Sequence, residues 1–334
     1  MARITFLGLE KWEEKYVSSK LKKHKLIFEE SNLNQHNISK IKHTEILSVF
    51  VHSEINPETI NRLKKLKFIN TMSTGYDHID QKMCSQIGIP ISNVPLYGEN
   101  TVAEFTFALI LELSRKTRLA INKTKKDDFT ISELEGFDLK NKTLGVIGPG
   151  EIGQNVIKIA NGFGMKVIAN GRKKDKKLED KLNFRFTSLE NLLKKSDIIT
   201  LHVPLNEKTR HMINSQNIKK IKPGAFLINT SRGAVIETKA ILYALDKKIL
   251  GGAALDVLEG EENLSNERHL LKKDFKNKEE WKEFIQNHLL LKEKNAIVTP
   301  HCAFNTKEAK QRILDTSIKN IKAFLKGKPI NRIC

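Results

Sequence analysis

Cysteine is scarce, with three in 334 residues, Cys84, Cys302 and Cys334. An odd number at no ligand spacing excludes a disulfide framework and a thiolate metal centre, and points to a reducing cytoplasm. Hydrophobic runs are short. The most apolar, Val102–Leu113, carries two glutamates, so no stretch reaches the roughly 18 uncharged apolar residues of a membrane span. Met1–Gly8 lacks the order of a signal peptide. Acidic residues are also in deficit: 39 Asp+Glu against 58 Lys+Arg leave a formal charge of +19. The lysines are spread along the whole chain, in no long block and without interleaved aromatics. Such charge favours solubility and argues against a nucleic-acid partner. What is present is 39% hydrophobic and 29% charged residues, too apolar for a disordered chain and too polar for a membrane bundle.

Short apolar strands alternate with helical patterns from the start. Arg3–Leu9, Lys25–Glu29, Glu45–His52, Phe68–Ser73 and Ile89–Asn93 read as strands, with helices near Trp12–Lys22, Asn56–Lys65 and His78–Gln86. A long helix is expected over Asn100–Lys123, capped by Asn100. After the polar Lys125–Leu139 a second alternation begins, with strands at Thr143–Ile147, Lys166–Ala169, Asp197–His202, Ala225–Asn229, Gly252–Asp256 and Asn295–Thr299. Strands that alternate with helices imply parallel sheets, so the pattern predicts two doubly wound α/β domains. Glu262–Lys294 is charge-rich, with an apolar stripe that includes Trp281, Phe284 and Leu290, and reads as a helical insertion. Thr306–Phe324 is a terminal amphipathic helix.

Gly148-Pro149-Gly150-Glu151-Ile152-Gly153 is a G-x-G-x-x-G turn between a strand and a helix. Gly148 allows the tight turn, Gly150 lets a pyrophosphate approach the backbone, and Gly153 lets the helix pack on the strand. N–H groups at Glu151 and Ile152 open the helix toward the anion. An acid that reads the adenosine ribose is expected at the end of the next strand. Gly171-Arg172-Lys173-Lys174 stands there instead. Three cations and no carboxylate suit a 2′-phosphate, so NADP(H) is favoured, with NAD(H) the alternative.

Three more strand ends carry polar residues: Asn229–Gly233, Asp256–Glu261 and Thr299–Ala303. Ligands bind beyond the carboxyl ends of such strands. An Arg, an acid and a His there suit hydride exchange with a 2-oxo acid. Arg232 would grip the carboxylate and polarise the carbonyl. His301 would exchange the proton. Glu261 would orient His301 and favour its imidazolium. No metal site is read.

These segments resemble the D-isomer-specific 2-hydroxyacid dehydrogenases, over most of the chain. The resemblance gives Arg232, Glu261 and His301 the catalytic roles. It selects Glu261 over Glu259 because the family's acid closes Asp-x-x-Glu-x-Glu. Glu262 stands where a proline often follows. Ser73–Asp80 is similar to the family's substrate loop, where N–H groups around Thr74 and Gly75 would bind the substrate carboxylate. Asn93-Val94-Pro95-Leu96-Tyr97 resembles the D-lactate dehydrogenase branch, in which Tyr97 would face the substrate. His202-Val203-Pro204, Thr230-Ser231 and Asp256 match segments at the cofactor. Gly171-Arg172 looks more like the glyoxylate/hydroxypyruvate reductases. The resemblance implies a flavodoxin-like substrate domain (1–100 and 300–334), a Rossmann-type cofactor domain (101–299), a cleft between them, and a homodimer with the helix from Asn100 in its interface. The same fold also serves dinucleotide-sensing transcriptional corepressors, which stand as the alternative function.

Overall fold

A computed structural model describes residues 1–33, 37–261, 264 and 278–334. The chain forms two compact units, Met1–Tyr97 with Asn305–Cys334, and Gly98–Phe304.

The first unit holds β1 (Arg3–Leu7), α1 (Lys11–Lys20), β2 (Lys25–Glu29), β3 (Ile46–Val49), α2 (Pro57–Arg62), β4 (Phe68–Thr71), α3 (Gln81–Gln86) and β5 (Ile91–Ser92). The strands pair in parallel in the order β2-β1-β3-β4-β5, the flavodoxin-like winding. Every residue of β3 and β4 is buried, as expected of inner strands covered on both faces. Helix α2 starts where Asn56 accepts a hydrogen bond from Thr59 N–H and Pro57 presets the first turn. The chain's last helix, Lys307–Leu325, returns to this unit and stacks Phe324 on Phe68 at 4.4 Å between ring centres.

The second unit begins with α4 (Glu99–Arg115) and α5 (Thr117–Thr124). It continues through β6 (Thr143–Ile147), α6 (Glu151–Gly162), β7 (Lys166–Asn170), α7 (Lys176–Leu182), β8 (Arg185–Phe186), α8 (Leu189–Lys195) and β9 (Ile198–Leu201). Then follow β10 (Ala225–Asn229), α9 (Thr238–Asp246), β11 (Leu250–Leu255), α10 (Lys278–Lys292) and β12 (Ala296–Val298). We number Lys307–Leu325 as α11. All pairs are parallel, in the order β12-β11-β10-β9-β6-β7-β8. The order reverses between β6 and β9, so the crevice for a ligand opens beyond the carboxyl ends of those strands. Of the expected insertion, α10 is described; residues 262–263 and 265–277, Glu262 among them, lie outside the described residues.

Two expectations change. The single helix over Asn100–Lys123 is two helices, capped at Gly98 and broken at Lys116, whose φ is +52°. The Glu112 carboxylate causes the break. It accepts from Arg118 N–H at 3.0 Å and from the Thr117 hydroxyl, which satisfies the start of a new helix. The domain junctions fall at 97/98 and 304/305, where 100/101 and 299/300 were expected. Helix α4 therefore lies whole in the second unit. So does His301, because Asp256 at the end of β11 ties its loop to the second sheet. Among the described residues no helix is long and apolar enough to cross a membrane, and no cluster of three His, Cys, Asp or Glu could hold a metal ion.

Candidate active site

The glycine turn sits at the end of β6. Gly148 has φ +93°, and a Cβ there would lie 2.5 Å from the His202 carbonyl oxygen and 2.7 Å from Val203 Cγ1. Only a glycine lets the turn and the segment after β9 close on each other. Gly153 meets Gly148 in the same way, with its absent Cβ 2.3 Å from the Gly148 carbonyl, so α6 can start hard against the turn. At Gly150 nothing lies within 4 Å of such a Cβ, and no side chain caps α6. An uncapped helix start beside open space fits a pyrophosphate. The residues present therefore fit a dinucleotide.

Of the other expected cofactor residues, Gly171, His202 and Val203 meet this turn, while Thr230 and Ser231 follow β10, two strands along the sheet from β6. Gly171 follows β7 and packs on the Pro149 ring, with Arg172 and Lys173 exposed beside it. His202 donates to or accepts from the Thr200 hydroxyl through Nε2 at 2.9 Å. Its Nδ1 is shut away from solvent without a hydrogen-bond partner, and burial pushes the imidazole down to about 3, so it is neutral at working pH. His202 and Val203 thus serve the turn by packing, and Pro204 follows at the surface. Thr230 shares its hydroxyl with Thr106 of α4 at 3.1 Å, and the Ser231 hydroxyl donates to Asn229 Oδ1 at 2.7 Å.

The carboxylate of Asp256, expected at the cofactor, is taken up by the loop that carries His301. It accepts from Thr299 Oγ1 at 2.5 Å, Cys302 N–H at 3.0 Å and Ala303 N–H at 2.8 Å, while the Asp256 carbonyl accepts from His301 N–H at 2.8 Å. A buried carboxylate needs such donors. Its role is to shape the His301 loop, where His301 takes the left-handed conformation at φ +51°. Cys302 is a bystander: burial, then the Asp256 charge, push its thiol up and keep it neutral.

His301 Nδ1 lies 2.6 Å from Glu261 Oε1, and Glu261 Oε2 accepts from Leu258 N–H at 3.0 Å. Glu259 is spoken for. Its buried carboxylate meets Arg210 Nη2 at 2.8 Å and His211 Nε2 at 2.8 Å. The geometry therefore separates two acids that sequence spacing leaves side by side. Arg232 stands in the neighbouring loop, its Nη1 donating to the Ser231 carbonyl at 2.8 Å. That loop lies flat on the acid's loop: a Cβ at Gly233 would fall 2.0 Å from the Leu258 carbonyl carbon. Sequence reasoning missed Asn229, which wraps the turn by donating to the Arg232 carbonyl at 2.9 Å and accepting from Ser231 N–H at 3.0 Å. An asparagine that ends a strand before Thr-Ser is a signal for such a turn.

In the first unit, Thr74 Oγ1 donates to the Val94 carbonyl at 2.8 Å and Ser73 Oγ to the Gly75 carbonyl at 2.6 Å. These bonds set the loop while using none of the N–H groups of Thr74 and Gly75. The Tyr97 carbonyl accepts from Arg312 Nε at 2.8 Å, which holds the backbone of that half-buried residue.

The family model for the NAD-binding domain of the D-isomer specific 2-hydroxyacid dehydrogenases matches residues 107–303. The chain belongs to this family. It is 37% identical over 304 residues to 2-hydroxyacid dehydrogenase homolog 2 of Schizosaccharomyces pombe, covering 90% of this chain and 89% of the relative. It is 36% identical over 297 residues to glyoxylate reductase of Thermococcus litoralis, covering 87% and 83%. The crystal structure of D-lactate dehydrogenase from Aquifex aeolicus, complexed with NAD and lactic acid, superposes with a TM-score of 0.87 at 35% identity, covering 97% of this chain and 96% of that one. The chain is thus an oxidoreductase of the 2-hydroxyacid dehydrogenase family, built from two parallel-sheet α/β units.

Proposed function

We propose that the protein reduces a small 2-oxo acid to the D-2-hydroxy acid with a preference for NADPH. The observation that carries this reading is the His301–Glu261 pair at 2.6 Å, with Glu259 committed to Arg210 and His211. When bound, the dinucleotide supplies the hydride in reduction and takes it in oxidation. The backbone at Gly148, Gly150, Glu151, Ile152 and Gly153 holds its pyrophosphate, and Gly171, Arg172 and Lys173 face its adenosine end. His202, Val203, Pro204, Thr230 and Ser231 border the same site, with Asp256 behind it. Arg232 grips the substrate carboxylate and polarises the carbonyl. Glu261 occupies Nδ1 of His301, so Nε2 gives the proton to the nascent alkoxide. The N–H groups of Thr74 and Gly75 bind the carboxylate, and Tyr97 faces the substrate. The unit works as a homodimer. Helix α5 buries none of its residues, and Ile121, Phe129 and Ile131 are 54%, 78% and 84% exposed, an apolar surface suited to a second copy. Three free cysteines suit a cytoplasmic enzyme.

The test is a steady-state screen of pyruvate, glyoxylate, hydroxypyruvate and branched 2-oxo acids with NADPH and NADH. Turnover of one acid in that panel is expected. Dinucleotide binding without turnover of any would favour a sensing, corepressor-like role instead.

Two substitutions separate the roles. Arg232→Ala is expected to raise KM for the 2-oxo acid and lower kcat, for a loss of about ten- to a hundredfold in kcat/KM, because charge-assisted bonds to substrate vanish. A loss confined to dinucleotide affinity would reassign Arg232. Glu261→Gln weakens the charge-assisted bond that orients the His301 ring, so kcat should fall about tenfold with dinucleotide affinity unchanged. A kcat that stays at the parent value would remove Glu261 from the proton path.

A further inference from the structure

In the first unit a chain of buried amides ends on the Thr74–Gly75 loop. Asn320 of α11, Asn70 of β4 and Ser48 of β3 are each 0% exposed. Asn320 Nδ2 donates to Asn70 Oδ1 at 3.0 Å and to the Asn93 carbonyl at 2.8 Å. Its Oδ1 accepts from Asn331 Nδ2 at 2.9 Å, and Asn70 Nδ2 donates to Ser48 Oγ at 2.9 Å. Asn93 in turn donates through Nδ2 to the Thr74 carbonyl at 2.9 Å. The C-terminal segment straps the same place from outside. Asn93 N–H donates to the Asn331 carbonyl at 3.1 Å, Ser92 Oγ to the Ile330 carbonyl at 2.7 Å, and Ile333 N–H to the Ile91 carbonyl at 2.8 Å.

A packed core needs no such chain, because apolar side chains would fill the space more cheaply. Fully satisfied buried amides fix one arrangement and penalise the rest. Every polar atom of the Asn320 side chain has its partner here, and the far end of the chain is the backbone whose N–H groups are assigned to the substrate carboxylate. We propose that Asn320 is a positioning residue for substrate binding, acting through Asn93 on the backbone of Thr74 and Gly75. The proposal rests on the reading of that loop given above.

The test compares the full-length protein with Asn93→Ala, Asn320→Ser and their double variant, using pyruvate as substrate and oxamate as unreactive competitor. Asn93→Ala keeps the buried amides and cuts only the link to Thr74. It should raise KM for pyruvate and the oxamate inhibition constant about five- to tenfold, the worth of one hydrogen bond, with kcat within about twofold. Asn320→Ser should do the same, and the double variant should be no worse than the poorer single one, because both act along one path. Dinucleotide affinity, read by fluorescence without substrate, should not move. Gly75→Pro, which deletes an N–H of the loop, serves as the control on the underlying reading. If Gly75→Pro raises KM while Asn93→Ala leaves it unchanged, the amide chain is structural packing and the proposal is overturned. If Gly75→Pro also leaves KM and oxamate inhibition unchanged, the loop itself is not the carboxylate site. Should Asn320→Ser fail to fold, Asn93→Ala alone decides.

Discussion

His301→Gln is expected to lower kcat on the best 2-oxo acid by about 10²–10⁴-fold, the usual worth of a positioned general acid. Dinucleotide affinity should survive, because the substitution leaves the loop's anchors in place. Those anchors are backbone N–H groups: His301 to the Asp256 carbonyl, Cys302 and Ala303 to the Asp256 carboxylate. The neighbouring Cys302 thiol is a poor substitute donor, since burial, then Asp256, push its titration up and make it a weaker acid. The left-handed backbone at residue 301, φ +51°, bears on the choice of variant. A glutamine there carries a strain of about 1 kcal/mol, whereas asparagine accepts that conformation more readily. His301→Asn is therefore the companion. Both variants should lose the chemical step in single-turnover decay of NADPH absorbance and bind NADPH as the parent does. If either kept kcat near the parent value, the proton would have to come from another group, and the Glu261–His301 pair would be a hydrogen bond without a catalytic task.

Much of this was legible before the structure. The strands of both sheets stand out because inner parallel strands such as β3, β4 and β9 are buried along their whole length and read as short apolar runs. The glycine turn is legible because its three glycines stand at a fixed short spacing between a strand and a helix, even though the atom that Gly148 answers to, the His202 carbonyl, comes from a distant segment. What escaped depends on distant partners. The break at Lys116 has neither glycine nor proline; it comes from a carboxylate one turn back that accepts from the residues ahead. Spacing alone does not choose between Glu259 and Glu261. Arg210 and His211, brought in from the segment after β9, claim the first and leave the second for His301. Asp256 was read by its place at a strand end, yet the fold uses its charge to gather the N–H groups of a loop more than forty residues later. That same tie explains why His301 belongs with the second sheet, although the strand before it looked like the natural boundary.

The choice between NADPH and NADH falls to the segment just beyond β7. Gly171 stands just beyond β7, where an NAD-selective acid would reach the ribose. The nearest acid along the chain, Asp175, is engaged in capping α7, accepting from Lys177 N–H at 2.9 Å and Leu178 N–H at 3.2 Å. Asn170 is engaged as well, its Nδ2 donating to the Thr187 carbonyl at 3.1 Å. Arg172, Lys173 and Lys174 remain as the exposed charges beside Gly171. A 2′-phosphate brings close to two negative charges, and an arginine can meet it with paired, charge-assisted bonds. Bonds of that kind are worth roughly 1.5–3 kcal/mol, so the parent should prefer NADPH over NADH by at least about tenfold in kcat/KM. Salt should erode the preference, because the charges are at the surface. Arg172→Ala alone should remove most of it and leave NADH kinetics nearly untouched. Gly171→Asp has a steric cost. A Cβ at residue 171 would lie 3.0 Å from Pro149 Cδ, 3.3 Å from Cγ and 3.4 Å from Phe186 Cε1, so the Pro149 ring must give by a few tenths of an ångström. Because Pro149 belongs to the pyrophosphate turn, that variant should weaken both dinucleotides somewhat while rejecting the phosphate by repulsion. The double variant Gly171→Asp with Arg172→Ala should then prefer NADH by at least about tenfold, a swing of about a hundredfold from the parent on the same estimate. The ratio of kcat/KM for the two dinucleotides, measured at low and high salt, checks each step. A parent that uses both equally, or favours NADH, would leave Arg172 a solvated charge and put the reading of the ribose elsewhere in the turn.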